Sequence, residues 1–377
     1  MAIKAEVSFS LKDELFNQST VTELAHALGK ASPKFVKDRF IKGSLQAFPQ
    51  LELKERIAHL VHMMAEQLPE DYPQSLRILE KALPAALDPK LEDDDFGRFI
   101  WVVPGEYVAT YGCTKNRLKH SLKFLQYSTM RFSAENAIRP FLNEFPEATM
   151  TFVQKCAQSK NYHVRRLASE GIRPFLPWSP RVDLPVADVL SVLDQLHRDK
   201  TRYVTRSIAN NLNDISKIAP ELVLEQLKHW GRLGEQEPTE LEWMTRHALR
   251  TLIKQDHKGA LALLGYPVDP KVKLKQLDVP GSIRVGDALN FSFDLHSEVD
   301  QRLLIGFKLY YLKANGSHAT KVFKVKDLAM VKGETTSCRK SQTFRPMTTR
   351  TLYPGEHKIE IVVNGRVIGR KKFLLEA

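Results

Sequence analysis

The chain has 377 residues, of which 43% are hydrophobic and 27% are charged, and its formal net charge is +12. This composition is typical of a globular protein long enough for two or three domains. The sequence has no apolar run of about 18 residues and no basic segment followed by an apolar core at the N-terminus, so we expect neither a membrane partner nor a signal peptide. Its three widely separated cysteines fit neither a disulfide framework nor a zinc motif. We therefore expect a cytoplasmic protein with no metal and no other cofactor.

Residues 10–265 show helical periodicity, interrupted by proline and glycine. The pentapeptide IRPFL occurs twice, and its two copies begin 34 residues apart. Three similar segments align on Arg166, Arg206 and Arg246, with steps of 40 residues. A helical unit that recurs every 34–40 residues predicts an α-solenoid of HEAT-like or armadillo-like repeats, whose inner helices line a groove.

The helix faces opposite the apolar residues carry an unusual set of charges. Arg131, Glu135 and Arg139 share one such face at four-residue spacing, and in the next repeat Glu170 lies between Arg166 and Arg173. The polar residues of the later repeats are Arg206, Asn210, Asn211, Asp214, Arg246 and Arg250. Successive repeats place equivalent faces side by side, so we expect these side chains to converge on one groove.

Two interpretations of these faces remain open. Charged pairs on a solvated helix surface are common, and each contributes only about 0.3–0.5 kcal/mol. Arginine, however, far outnumbers lysine on these faces, and arginine is the residue suited to bidentate phosphate contacts. Carboxylates within a phosphate-binding groove weaken binding, so they need another use, such as stabilising a cation that develops during a reaction.

The pattern changes after the Leu264–Pro267 stretch. Seven short alternating segments follow in about 105 residues, separated by turn residues that include Asn315-Gly316 and Asn364-Gly365. This pattern predicts a small immunoglobulin-like β-sandwich. The predicted fold is therefore α with a separate β domain, namely a HEAT-like-repeat α-solenoid over residues 1–268 followed by an immunoglobulin-like β-sandwich over residues 269–377.

Positive charge is concentrated in the predicted β domain. From Lys271 onward there are 20 Lys+Arg and 10 Asp+Glu residues, a net +10, which leaves 36 against 34, or +2, for the first 270 residues. Such a segment suits a polyanion such as DNA or RNA. The alternative is that the charge serves solubility alone.

Three segments together resemble a known family. SAENAIRPFL, HVRRLASEGIRPFLPW and YVTRSIANNLNDISK are similar to the HEAT-like-repeat DNA alkylation-repair glycosylases of the AlkC branch. The basic segment YYLKANGSHATKVFKVKDL resembles the immunoglobulin-like extension of the same branch. The resemblance covers nearly the whole chain, and it implies a monomer that acts on double-stranded DNA containing alkylated bases.

The implied reaction is hydrolysis of the N-glycosidic bond of cationic bases such as 3-methyladenine. Methylation of the ring nitrogen makes the base a good leaving group, so no strong general acid is required. We expect Glu135, Glu170 and Asp214 to stabilise the oxocarbenium ion and to hold water, with Glu170 the strongest single candidate. Trp178 is expected against the sugar-phosphate backbone or the lesion sugar, or else in the core of its repeat. The other DNA-binding candidates are Arg131, Arg139, Arg166, Arg173, Arg206, Asn210, Asn211, Arg246 and Arg250.

Three other functions are weighed against this one. A protein scaffold would require a groove richer in apolar residues, and a noncatalytic DNA- or RNA-binding protein would bind without releasing a base. A metal-dependent nuclease is disfavoured because His163, His197 and His247 have no ligand spacing. Trp101 is expected in the core, with a place in the groove as the alternative, and Glu92–Asp95 is expected in a solvated loop.

Overall fold

The structure is a computed structural model that describes residues 10–88, 90, 96–346 and 351–377. The predicted Glu92–Asp95 loop lies outside the described residues. The chain forms two compact units. The first contains the described residues up to Ile215 together with Leu233–Ala248, and the second contains Ser216–Arg232 together with the described residues from Leu249 onward.

The described residues of the predicted helical region form helices, with one exception: Arg131, Glu135 and Arg139 do not share one helix face, because residues 129–138 form turns and the next helix begins at Arg139. Two short 3-10 turns, Phe48–Gln50 and Phe99–Trp101, occur in this part of the chain. The α-helices are α1 (Leu11–Leu15), α2 (Gln18–Ala31), α3 (Lys37–Ala47), α4 (Leu53–Ala65), α5 (Tyr72–Ala82), α6 (Val102–Gly112), α7 (Leu118–Ser128), α8 (Arg139–Glu144), α9 (Pro146–Ala157), α10 (Tyr162–Gly171), α11 (Val186–Leu196), α12 (Arg202–Ile215), α13 (Pro220–Leu233), α14 (Pro238–Ala248), α15 (Arg250–Lys254) and α16 (Lys258–Leu263).

Helix α10 shows how the sequence of a repeat determines its structure. Asn161 caps its N-terminus by accepting hydrogen bonds from the backbone N–H groups of His163 and Val164. The apolar face of the helix, which includes Leu167, is buried. At its C-terminus, a Cβ atom on Gly171 would lie 2.7 Å from Cγ2 of Ile138, so glycine permits the close approach of the two repeats. Helix α12 packs against α10, and α14 packs against α12. This succession brings the polar residues of neighbouring repeats together.

The core also contains Trp101, which is buried as the sequence predicts. Among the described residues, no helix is both long enough and apolar enough to cross a bilayer.

The β domain consists of two sheets packed face to face. The strands are β1 (Val272–Asp278), β2 (Ser282–Arg284), β3 (Ala288–Ser297), β4 (Gln301–Leu312), β5 (His318–Met330), β6 (Thr335–Thr343), β7 (Gly355–Val363) and β8 (Arg366–Glu376). One sheet has the order β1-β3-β6 and the other has the order β2-β8-β7-β4-β5. Side chains that alternate along the strands, such as Phe293, Leu303 and Ile361, fill the core between them.

The predicted fold class, helical repeats followed by an immunoglobulin-like β domain, is confirmed. The strand that the sequence does not indicate is β2, which has three residues and pairs with β8 in parallel. A three-residue segment is too short to show alternation. The turn between β7 and β8 is the predicted Asn364-Gly365, and both residues have positive φ, as a type I′ turn requires.

Within the second unit, the last helices are tied to the sheet. Asp256 forms an ion pair with Lys308 on β4, and the Tyr266 hydroxyl donates to Asp327 on β5 over 2.8 Å. The change from helix to strand, between Leu263 and Val272, therefore falls inside this unit. The predicted domain boundary after residue 268 separates the helical segment from the strands. It does not coincide with the border between the two compact units, because the second unit also contains the preceding helices.

Candidate active site

The first component of the site is an arginine between two carboxylates. Arg166 lies on α10, and its Nη1 atom is 3.3 Å from Oε2 of Glu135 in the preceding repeat. Its Nη2 atom is 3.8 Å from Oε1 of Glu170, one turn further along α10. The Tyr203 ring of α12 covers the guanidinium at 4.4 Å, and the Ser133 hydroxyl accepts a further hydrogen bond from it. Arg166 is thus buried as the counter-charge of two acids.

The second component continues the chain of charges to the next repeat. Arg173 donates from Nη1 to Oε1 of Glu170 over 2.6 Å and from Nε to Oδ2 of Asp214 over 2.9 Å. Three carboxylates, contributed by three successive repeats, therefore share two guanidinium groups. The structure brings together all three of the predicted catalytic acids, Glu135, Glu170 and Asp214.

The charges in this cluster support each other. Burial disfavours the charged form of Glu170, but Arg166 and Arg173 outweigh it and lower the pKa of its carboxyl below the ordinary value. Burial also disfavours the charged form of Arg166. The nearby carboxylates of Glu135 and Glu170 outweigh this effect and raise the pKa of Arg166 above its ordinary value. Both groups are therefore charged at neutral pH.

The three acids differ in accessibility. The Glu135 side chain is 17% exposed, whereas the side chains of Glu170 and Asp214 are 5% and 2% exposed. Oε2 of Glu170 is buried and makes no hydrogen bond of standard geometry with the described residues. Glu135 is thus the acid open to solvent, while Glu170 offers a buried acceptor position.

Trp178 lies in the loop that follows α10. It is 70% exposed, and its backbone has φ of 65°, in the left-handed region. A bulky residue with positive φ is strained by about 1–3 kcal/mol. The structure places this tryptophan in solvent and not in the core of its repeat, so the core alternative for Trp178 is wrong.

Arg139 differs most from its predicted place. It is completely buried, and its guanidinium donates to the carbonyl oxygens of Gly171 and Arg173, each over 2.8 Å, and of Pro180 over 2.6 Å. A side chain so placed cannot contact a phosphate, so we correct its assignment to the DNA-binding set. The helical periodicity correctly predicts that Arg139 lies on the polar side of its repeat. Residues 171–180 of the next repeat, however, cover this side chain.

The remaining predicted DNA-binding residues are placed as follows. Arg131 is buried, donates to the carbonyl of Tyr127 and stacks on its ring, and Asn211 is buried and donates to the Ser169 carbonyl over 2.9 Å. Oδ1 of Asn210 lies 2.9 Å from Nε2 of His247. The half-buried members are Arg206, Asn210 and Arg246 in the first unit and Arg250 in the second.

Sequence reasoning missed two residues near the cluster. Tyr203 covers Arg166, and it could have been found because an aromatic residue opens two of the aligned repeats. Glu106 is the only charged residue of α6, and this was an available signal. Burial raises the pKa of Glu106 to about 7; Lys54 lowers it and Glu135 raises it. Among the described residues, no group of three or more His, Cys, Asp or Glu side chains could hold a metal ion.

The fold and the charge cluster define a HEAT-like-repeat solenoid with an immunoglobulin-like C-terminal domain. Residues 273–377 match the family model described as "Uncharacterised protein YhaZ, C-terminal Ig-like domain". The chain is 36% identical over 361 residues to the Bacillus subtilis (strain 168) protein called uncharacterized protein YhaZ, covering 94% of this chain and 96% of that one.

A solved structure extends the similarity to the whole fold. The alkylpurine DNA glycosylase AlkC of Pseudomonas fluorescens, bound to DNA containing an abasic site analog, superimposes with a TM-score of 0.86 at 36% identity. The match covers 98% of this chain and 100% of that one. The chain belongs to the AlkC family, as its motifs predict.

Proposed function

We propose that this protein is a DNA glycosylase that hydrolyses the N-glycosidic bond of cationic alkylated purines, such as 3-methyladenine, in double-stranded DNA. The observation that carries the proposal is the chain of three carboxylates sharing two guanidinium groups, with the partly exposed Glu135 at one end. The likeness to the alkylpurine DNA glycosylase AlkC, solved with DNA containing an abasic site analog, supports a glycosylase reaction. The protein acts as a monomer and uses neither a metal nor another cofactor.

The reaction needs little help for the leaving group. A base methylated on a ring nitrogen is positively charged, so it departs as a neutral molecule with the electron pair of the glycosidic bond. The deoxyribose becomes an oxocarbenium ion, to which water adds at C1′ with loss of a proton. A carboxylate about 4 Å from that cation stabilises it by roughly 4 kcal/mol at an effective dielectric constant of 20. This corresponds to a rate increase of about a thousandfold.

The three acids divide this work according to their accessibility. Glu135 is the acid closest to the lesion sugar, because its side chain is the most exposed of the three. Glu170 keeps a buried oxygen available to accept a hydrogen bond from the attacking water. Asp214 holds Arg173, which in turn fixes Glu170. The charge of Arg166 and Arg173 keeps Glu170 ionised, and both arginines are engaged by these acids and do not hold a phosphate.

DNA binding comes from other groups. The segment from Lys271 onward has a net charge of +10, which favours a polyanion. Arg206, Arg246 and Arg250 are half-buried and are assigned to phosphates, together with Asn210. Trp178 contacts the sugar-phosphate backbone or the lesion sugar with its exposed ring.

The test is release of free methylated base from methylated duplex DNA, measured in single turnover with and without a chelator. Glu135→Gln, Glu170→Gln and Asp214→Asn are compared at equal DNA occupancy with Glu144→Gln, an exposed acid at the end of α8. Each site variant is expected to lose about a hundredfold or more, because it removes or displaces a charge that stabilises the oxocarbenium ion. The Glu144 variant is expected to retain the wild-type rate. DNA binding without base release by the unmodified chain would instead support a noncatalytic DNA-binding protein.

A further inference from the structure

The loop that carries Trp178 is held by one face of the preceding repeat. We name residues 172–181 the Trp178 loop. Asn136, Arg139 and Asn143 are spaced three and four residues apart, and each contacts this loop. Asn143 donates to the carbonyl of Arg181 over 3.0 Å, and the Ser179 hydroxyl donates to Oδ1 of Asn136.

Arg139 holds both ends of the loop. Its Nη1 atom donates to the carbonyls of Gly171 and Arg173, where α10 ends, and its Nε atom donates to the carbonyl of Pro180, just beyond the tryptophan. One buried guanidinium thus fixes the distance between the start and the end of the loop. Charge-assisted hydrogen bonds to three carbonyls are strong and directional.

A fourth contact acts on the tryptophan itself. Lys54 on α4 donates from Nζ to the carbonyl oxygen of Trp178 over 2.5 Å. The residue has positive φ and an exposed ring, so its conformation is not supported by burial of its own side chain. Residues in sparsely populated backbone regions persist when the surrounding structure holds them. Here the surroundings that hold it are polar side chains from two earlier helices.

We infer that Arg139 is a positioning residue which, with Lys54 and Asn143, pre-organises the Trp178 loop so that the tryptophan ring meets the lesion-bearing strand without a prior rearrangement. This inference rests on the proposed function, since it assigns the ring to damaged DNA. It explains why a completely buried arginine occupies the polar face of a repeat. A rigid loop avoids the ordering cost that a mobile one incurs on binding.

The functional test is a double-mutant cycle. Lys54→Ala, Asn143→Ala and Arg139→Lys are each made alone and together with Trp178→Ala, and the single-turnover rate of base release and the affinity for methylated duplex DNA are measured. Lys54 and Asn143 are exposed, so their variants are expected to fold even if an Arg139 variant does not. Glu144→Gln, next to Asn143, is the matched control.

A loosened loop is expected to reduce the rate about tenfold or more when Trp178 is present, because small displacements of contact groups cost large factors in rate. In the Trp178→Ala background the same changes are expected to have almost no effect. A role confined to fold stability would give equal losses in both backgrounds, and that result would overturn the inference. A wild-type rate for Trp178→Ala would overturn it as well.

Protease resistance provides a readout that is independent of catalysis. Chymotrypsin cleavage between Trp178 and Ser179, identified by mass spectrometry in the native state, is expected to be slow in the wild type and at least several-fold faster in the three loop variants. Equal cleavage rates would contradict the positioning role. If the wild type releases no base, the proposed function fails. In that case the cleavage rates and the double-mutant cycle measured on DNA affinity still decide whether these residues position the Trp178 loop for DNA binding.

Discussion

Arg173 donates a 2.6 Å hydrogen bond to Glu170, which lies three residues earlier on the same turn. The same guanidinium donates to Asp214 over 2.9 Å, so it neutralises two buried acids. We expect Arg173→Met to destabilise the fold by about 3–5 kcal/mol, because removing one partner leaves uncompensated buried charge. Urea denaturation at pH 7 measures this loss.

The control for Arg173 separates charge from packing. The triple variant with Arg173→Met, Glu170→Gln and Asp214→Asn removes the arginine and both acids it neutralises. Most of the lost stability is expected to return in this variant, because the interior then contains no unpaired acid at this point. A triple variant no more stable than Arg173→Met alone would show that shape and not charge dominates the cluster.

Glu106 is expected to make the stability depend on pH near neutrality. Burial, with a smaller contribution from Glu135, raises the pKa of Glu106 to about 7 in the folded protein from an ordinary value of 4.5, against the opposing effect of Lys54. The unfolded chain therefore ionises this group more readily, and stability is lost as pH rises from about 4.5 to about 7. Each pKa unit corresponds to about 1.4 kcal/mol, so the loss is at most about 3–4 kcal/mol.

Denaturation of Glu106→Gln and the wild type at pH 5 and pH 8 tests this expectation. The variant is expected to be the more stable of the two at pH 8, and the difference is expected to shrink at pH 5. The control variant is Glu80→Gln, which removes an acid on α5 outside the charge cluster. Parallel curves for Glu106→Gln and the wild type across this range would disprove the raised pKa.

The sequence predicts the repeats and the acid cluster because both follow from the spacing of the repeats. Glu170 and Asp214 lie on the successive helices α10 and α12, Glu135 lies in the turn before α8, and the stacking of the repeats brings the three acids together. The predicted turn at Asn364-Gly365 forms because its residues tolerate positive φ. These features depend on local chemistry and on the repeat, which are visible in one sequence.

The burial of individual arginines could not be predicted in this way. Arg139 and Arg166 lie on polar faces like their neighbours, but Arg139 is covered by the loop of the next repeat and Arg166 by Tyr203. Contacts between residues 30–40 positions apart decide whether a polar stripe faces solvent, and amphipathic spacing does not show them. The positive φ of Trp178 could not be predicted from the sequence either, because its backbone is held by a side chain from another helix, Lys54 on α4.

Gly171 gives a test of how closely the repeats pack. A Cβ atom there would lie 2.7 Å from Cγ2 of Ile138, a buried side chain in the turn before α8, so either α10 or this turn must shift. We expect Gly171→Ala to destabilise the protein by about 1–3 kcal/mol, the usual cost of overpacking a well-filled core. Chemical denaturation monitored by circular dichroism measures this change.

Gly231 on α13 provides the matched control for Gly171. No heavy atom outside its local helix lies within 4 Å of the position that its Cβ would occupy. Because glycine weakens a helix interior relative to alanine, Gly231→Ala is expected to stabilise the protein by about 0.5–1 kcal/mol. The two substitutions make the same chemical change, so opposite signs isolate the contact with Ile138. If Gly171→Ala also proved neutral or stabilising, the close approach of α10 to the preceding repeat would not be required for folding.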